Sequence, residues 1–396
     1  MGSKPEHLGL ETALNRAGRN VSEAGFINTP ICRGSTVIHT AYEQVADSRK
    51  LPISYFYGTL GNPTCRALES AWTAMTGAAG TVLQPSGLAA ATLALMAATK
   101  GGDTIFVCDT VYLPVRNYCA GYLKKMNVTT VYYKSTISPD DMRELFKQHP
   151  QTTVLYFESP GSQTFEVQDI PALSAVAKEF DATTIVDNTW ATPIFFDALR
   201  KGCDISVEAG TKYLSGHSDL LLGLVAANEK WFPAIKQAHM DFGSLAGNED
   251  CFLALRGLRT MYIRVKEAER RGLEVARWVR EQKCVLKVLH PAFETCPGHE
   301  AWKRDFTGST GVFSFILQPE YTLEDVGRML DNMKVFCMGY SWGGFESLIM
   351  HYDCTPFRTA EKFNPGGRLI RLSIGLEDVE DLKADLLQGF AWLDNK

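Results

Sequence analysis

No uninterrupted apolar stretch in the 396 residues reaches the roughly 20 that a membrane helix needs, so a membrane-spanning chain is not expected. Long basic runs are also missing. With a formal charge of −5, nucleic acid is a poor candidate for the main partner. The opening residues, MGSKPEHLGLETALNRAGR, hold no apolar segment of the signal-peptide kind. Ten cysteines are present, yet none forms a CxxC pair and no Cys/His grouping has zinc-site spacing. Reduced thiols acting as small core residues are expected instead, and with them a cytoplasmic location. Internal repeats and low-complexity tracts are absent from the sequence.

What is there reads as an ordinary globular enzyme, with 45% hydrophobic and 21% charged residues. The length suggests two or three domains. Residues 1–60 are poorly periodic and rich in Gly, Asn, Ser and Thr, as an arm would be. From about residue 66 the pattern becomes regular. The runs GTVLQ, TIFVCD, VTTVYY, TTVLYFES, ATTIVDNT and CDISVEAG predict strands, and RALESAWTAMTG, SGLAAATLALMAATK, DDMRELFKQH and PALSAVAKEF predict helices between them. Short continuous apolar strands alternating with helices point to βαβ crossovers and a mostly parallel sheet covered on both faces. After about residue 250 the pattern changes. A long helical stretch over 258–282 has Gly272 as its first breaker, and the strand–helix alternation beyond it predicts a smaller α/β domain.

In open α/β sheets, ligands bind outside the carboxyl ends of the strands. Four features lie just after apolar runs. Asp187 ends ATTIVD; it either caps the following segment or holds a proton on a ring nitrogen. Ser86-Gly87 opens a helix after a short strand, where free N–H groups and the helix dipole favour a phosphate. The ring of Tyr112, in CDTVYLP, either stacks on a flat cofactor or packs in the core. Lys212, in EAGTKYLSGHSDLLLG, is either a solvated loop residue or a desolvated amine able to act as nucleophile and base near neutral pH. His217 and Asp219 in the same stretch have no further ligand nearby, so a metal is not expected.

The ordered set Tyr57-Gly58, Gly61-Asn62-Pro63-Thr64, Ser86-Gly87, Tyr112, Glu158-Ser159-Pro160-Gly161, Asp187-Asn188-Thr189-Trp190 and Thr211-Lys212-Tyr213 through Gly216-His217-Ser218-Asp219 resembles the Cys/Met-metabolism enzymes that use pyridoxal 5′-phosphate (PLP). KRDFTGSTGVFSF, YSWGGFES and LIRLSIGLED extend the resemblance over essentially the whole chain. It implies the aspartate-aminotransferase-like fold of PLP-dependent transferases: a large, mostly parallel-sheet domain with helices on both faces, plus a smaller C-terminal α/β domain. The implied divisions are an arm over 1–60 that reaches a neighbouring subunit, a PLP-binding domain over 61–255 and a C-terminal domain over 256–396. A homotetramer built from dimers is implied as well.

Carried over by position, the resemblance makes Lys212 the cofactor-bearing lysine and base, Asp187 the partner of the pyridine nitrogen and Tyr112 the ring-stacking residue. Gly87, Leu88 and Thr211 would hold the phosphate, with Tyr57 reaching in from the neighbouring subunit. Arg371 would bind the substrate carboxylate, helped by Ser341, and Trp342 would line the pocket. Trp342 in YSWGGFES is similar to the branch that cleaves L-cystathionine, a small sulfur amino acid, by α,β-elimination to homocysteine, pyruvate and ammonia. Other cysteine S-conjugates are further substrates on that reading. The alternatives are γ-elimination or cysteine desulfhydration on the same scaffold, or an inert regulatory protein that keeps the fold. The chain departs from the family pattern at two positions. Thr59 stands where relatives carry a phosphate-binding Arg, and Ser162 where many carry an Asn facing the ring hydroxyl.

Overall fold

The computed structural model describes residues 9–19, 25–39, 41–42, 46 and 55–394. Residues 1–8, 20–24, 40, 43–45 and 47–54 of the expected arm, and the last two residues of the chain, lie outside the described residues.

Seven strands form the larger sheet: β1 (Gly80–Gln84), β2 (Thr104–Cys108), β3 (Thr129–Tyr133), β4 (Thr152–Glu158), β5 (Thr183–Asp187), β6 (Ile205–Ala209) and β7 (Gly223–Ala227), in the order β1-β7-β6-β5-β4-β2-β3. The pairs β3/β2, β2/β4, β4/β5 and β5/β6 are parallel, while β7 runs antiparallel to both β6 and β1. Every residue of β1, β2 and β7 is buried, which is why these strands read as continuous apolar runs rather than alternating ones. The Ala/Leu-rich helix Gly87–Ala98 packs on β6 and β7, and its small side chains bring it close to the sheet.

The smaller sheet holds β8 (Val285–Leu289), β9 (Val312–Leu317), β10 (Cys337–Met338), β11 (Leu348–Tyr352) and β12 (Leu369–Ser373), in the order β10-β11-β12-β9-β8. One continuous helix, Asn248–Arg280, serves both sheets. Its Val265 and Ala268 belong to the apolar core of the larger one, and its Val275, Ala276 and Val279 to that of the smaller. The division expected after residue 255 therefore falls within a helix. Gly272 does not break that helix. It serves as a point of contact, since a Cβ there would lie 2.8 Å from the Gly311 Cα and 3.0 Å from the Thr310 carbonyl oxygen.

A polar tie also joins the two parts. Asp109, just after β2, is buried and accepts from Arg116 Nη1 at 3.0 Å, from Thr359 N at 3.1 Å, from Ala360 N at 3.0 Å and from Glu361 N at 3.3 Å. The segment 359–361, between β11 and β12, is thus fastened to the end of β2. Among the described residues no helix is long and apolar enough to cross a membrane.

Candidate active site

The ends of β4, β5 and β6 bring the first group together. Glu158 and Asp187 are register partners at the carboxyl ends of β4 and β5. Asp187 Oδ1 accepts from Thr189 N at 3.0 Å and from Thr189 Oγ1 at 2.5 Å, and that hydroxyl accepts from Ala209 N at 2.9 Å. The carboxylate is thereby aimed by a chain running from β5 to β6. Burial raises the Asp187 carboxyl above the usual carboxylate range, opposed by the Thr189 hydrogen bonds and by the charge of Lys212. Glu158 is raised further, by burial and then by the charge of Asp187. Its Oε2 accepts the Tyr112 N–H at 2.5 Å. That bond fixes the entry to helix Leu113–Tyr118 and leaves the Tyr112 side 43% exposed at the mouth of the site.

Lys212 follows β6 in a loop that is tied along its length. Its N–H donates to Ala209 O at 3.0 Å; Thr211 Oγ1 accepts from Leu222 N at 2.9 Å; and Ser215 Oγ donates to Thr211 O at 3.0 Å. His217 Nδ1 lies 2.5 Å from Ser215 O, and Arg264 donates to Tyr213 O at 2.8 Å and Leu214 O at 3.1 Å. The Lys212 Nζ atom donates to Ser341 Oγ at 2.8 Å and sits 5.3 Å from the Trp342 ring centre. Burial, aided by the positive charge of Arg371, brings its amine down to about 8 from an ordinary 10.5. Of the two readings open at the sequence level, this setting fits the desolvated amine better than a solvated loop residue.

Ser86 caps helix Gly87–Ala98, its Oγ accepting from Ala89 N at 3.1 Å. A Cβ on Gly87 would meet the Ala209 Cβ at 2.6 Å, so only glycine lets the helix start seat against the end of β6. The first turn of this helix, whose N–H groups lack helical partners, therefore begins beside the end of β6, two residues before Thr211, a setting that suits an anion.

From the smaller sheet, β12 contributes Arg371, only 2% exposed. Its Nη1 donates to Tyr340 O at 3.0 Å, and its Nη2 to Gly339 O and Ser341 O, both at 2.9 Å, while Nε is buried without a partner. Arg371 thus shapes the 339–341 turn, whose Ser341 hydroxyl meets Lys212. Ser218 Oγ donates to Glu346, closing a clasp between the lysine loop and the turn. Trp342 packs edge-on against Tyr213 at 5.6 Å.

Two of the expected residues make no hydrogen bond to Lys212 or Asp187. Tyr57 pairs with Thr36 and lies beside Thr59 on the wall of a separate cavity of about 280 Å³, whose lining includes neither Lys212 nor Asp187. Ser162 is held through its backbone, donating to Thr110 O at 2.8 Å and accepting from Arg358 at 3.2 Å. Sequence reasoning missed the roles of Thr189, Glu158 and Glu346. ESPG, NTW and GFES contain them, but only the fold shows what they touch. Among the described residues no cluster of three or more His, Cys, Asp or Glu side chains could hold a metal.

The donor set suits PLP. A buried carboxyl aimed from a strand end fits a protonated ring nitrogen, a deprotonatable amine fits an aldehyde, and open first-turn N–H groups fit a phosphate. The comparisons agree. A family model described as Cys/Met metabolism PLP-dependent enzyme matches residues 11–391. A putative cystathionine beta-lyase of Saccharomyces cerevisiae is 52% identical over 338 residues, covering 85% of this chain and 97% of that protein. The cystathionine beta-lyase of Escherichia coli is 38% identical over 390 residues, covering 96% of this chain and 98% of that one. A solved cystathionine gamma synthase of Xanthomonas oryzae, in complex with aminoacrylate and cysteine, superposes with a TM-score of 0.89 at 29% identity, over 98% of this chain and 99% of that one. The chain belongs to the Cys/Met metabolism family of PLP-dependent enzymes.

Proposed function

We propose that the protein is a carbon–sulfur lyase that cleaves L-cystathionine by α,β-elimination to homocysteine, pyruvate and ammonia, and that it also accepts other cysteine S-conjugates. The observation that carries this reading is the buried Lys212 amine, aimed by Ser341 at 2.8 Å and set between Asp187 and Arg371, in a chain whose relatives at 38–52% identity bear the β-lyase name. When bound, PLP supplies an electron sink for the charge left at Cα.

The chain's own residues do the rest. Asp187 keeps a proton on the ring nitrogen, and Tyr112 covers one ring face. Gly87, Leu88 and Thr211 would hold the phosphate, Tyr57 would contribute from a neighbouring subunit, and Ser162 would serve where many relatives carry an Asn. Arg371 binds the α-carboxylate, offering its unpartnered Nε together with an η nitrogen released from the turn. Trp342 lines the pocket and excludes water from it. Lys212, neutral above a pH of about 8, removes the Cα proton and returns it to the departing sulfur as the Cβ–S bond breaks.

The molecule operates as a cytoplasmic homotetramer, a dimer of dimers. Residues 1–60 serve as an arm to the neighbouring subunit, 61–255 as the PLP-binding domain and 256–396 as the C-terminal domain. The deciding experiment incubates purified protein with L-cystathionine, L-cystine and L-methionine and identifies the keto acid. Pyruvate from cystathionine is expected; 2-oxobutyrate would move the assignment to γ-elimination.

A further inference from the structure

Outside the active site, two thiols face one another at the junction of two helices. Cys65 is the third residue of helix Pro63–Thr76, and Cys251 lies in the first turn of helix Asn248–Arg280. Their Sγ atoms are 3.7 Å apart. An amide pair brackets them: Asn62 Nδ2 donates to Cys65 Sγ at 3.3 Å and to Asn248 Oδ1 at 2.7 Å, and that oxygen also accepts from the Cys65 thiol at 3.4 Å. The two sulfurs differ in access. Cys65 is 9% exposed and, with Asn62 and Asn248, lines the cavity of about 280 Å³ that holds Tyr57 and Thr59 on its wall. Cys251 lies behind it, fully buried.

We propose that Cys65 and Cys251 are a modification site, a dithiol that a low-molecular-weight disulfide oxidises to an intramolecular disulfide. Cys65 is the attacking thiol and Cys251 the resolving one. The Cys65 thiolate attacks one sulfur of the small disulfide, giving a mixed disulfide and releasing one thiol. Cys251 gives up its proton and attacks Cys65 Sγ, releasing the second thiol. The protein loses two hydrogens and two electrons, and the small disulfide is reduced to two thiols.

Cys65 sits at a helix N-terminus, where the dipole favours a thiolate, whereas the hydrogen bond with Cys65 and burial raise the Cys251 thiol above its ordinary range, which suits the second, resolving role. Hydrogen bonds from Cys251 and Asn62 lower the Cys65 thiol below its ordinary range, against the opposing effects of burial and of nearby Glu69. The sulfurs have to close only from 3.7 Å to the bonded separation of about 2.05 Å. Cys65 lines that cavity and is the sulfur of the pair that an oxidant would meet first, while seven of the other eight cysteines are buried or half-buried.

The test uses the full-length, PLP-loaded protein. It is incubated with oxidised glutathione, alkylated, digested without reduction and mapped by mass spectrometry. A cross-linked peptide pair joining Cys65 to Cys251, lighter by two hydrogens, is expected, with loss of alkylation at both thiols and recovery on adding dithiothreitol. In Cys251→Ala, glutathione is expected to stay on Cys65. Full alkylation of both residues after oxidation, a bridge from Cys65 to Cys32, or a persistent glutathione adduct on Cys65 of the unsubstituted protein would each overturn the proposal. The map of the unsubstituted protein decides the matter even if Cys251→Ala does not fold.

Discussion

Lys212 shows how much of a side chain's chemistry is a property of its surroundings. The residue was legible because it stood in a motif with Thr211, Tyr213 and the GHSD run. Ser341 was legible only as a helper of Arg371; its bond to the Lys212 amine was not, since that bond spans 129 positions and joins two sheets. The amine's depressed proton affinity has a direct reading. In cofactor-free protein, amine-reactive labelling of Lys212 should rise with pH about a midpoint near 8, and a midpoint near 10.5 would contradict the burial argument. The sign follows from burial, which disfavours the charged form, so the neutral, reactive amine appears at lower pH than in an unfolded chain. Lys212→Ala is expected to lower pyruvate release by about 10³-fold or more and to remove the visible absorbance of bound PLP. Ser341→Ala removes one hydrogen bond from the base while leaving the amine in place. It should reduce kcat by about tenfold with KM changed far less.

Strands β1 to β6 were readable because each is a short apolar run bounded by polar residues. The direction of β7 was not readable. A run such as LLLGLVAA looks the same whichever way it lies, and only its pairing with β6 and β1 makes it antiparallel. Gly272 misled for a related reason: propensity marks it as a breaker, whereas close approach to Gly311 explains it. That contrast gives a test of sign. Gly272→Ala would stabilise an isolated helix by roughly 1 kcal/mol, but the 2.8 Å clash with Gly311 should cost about 1–3 kcal/mol more than that gain. A net fall in the urea midpoint is therefore expected. The Asp109 tie, equally invisible in sequence, offers a second test. Asp109→Ala leaves Arg116 buried without its partner, at a cost of about 3 kcal/mol. Amide exchange over residues 359–361 should accelerate, because all three of those N–H groups lose their acceptor.

At the scale of the whole molecule, Tyr57 lines a cavity that does not include Lys212. That placement is what the proposed contribution of Tyr57 to a neighbouring subunit would require. Thr59 belongs to the same segment. Thr59→Arg should tighten PLP retention by about tenfold, the worth of one charge-assisted hydrogen bond, as measured by the dissociation constant for PLP. An unchanged constant would mean the segment does not reach a phosphate. The antiparallel β7 carries a last consequence, for the order in which the chain can fold during synthesis. In the larger sheet β1 is an edge strand whose one neighbour is β7, so Gly80 must wait for Ala227. A ribosome that has released β1 through β6 has delivered a sheet still open on one side, with a strand that is wholly buried in the finished fold left unpaired. That strand is a natural client for a chaperone until the LLLGLVAA run emerges to cover it.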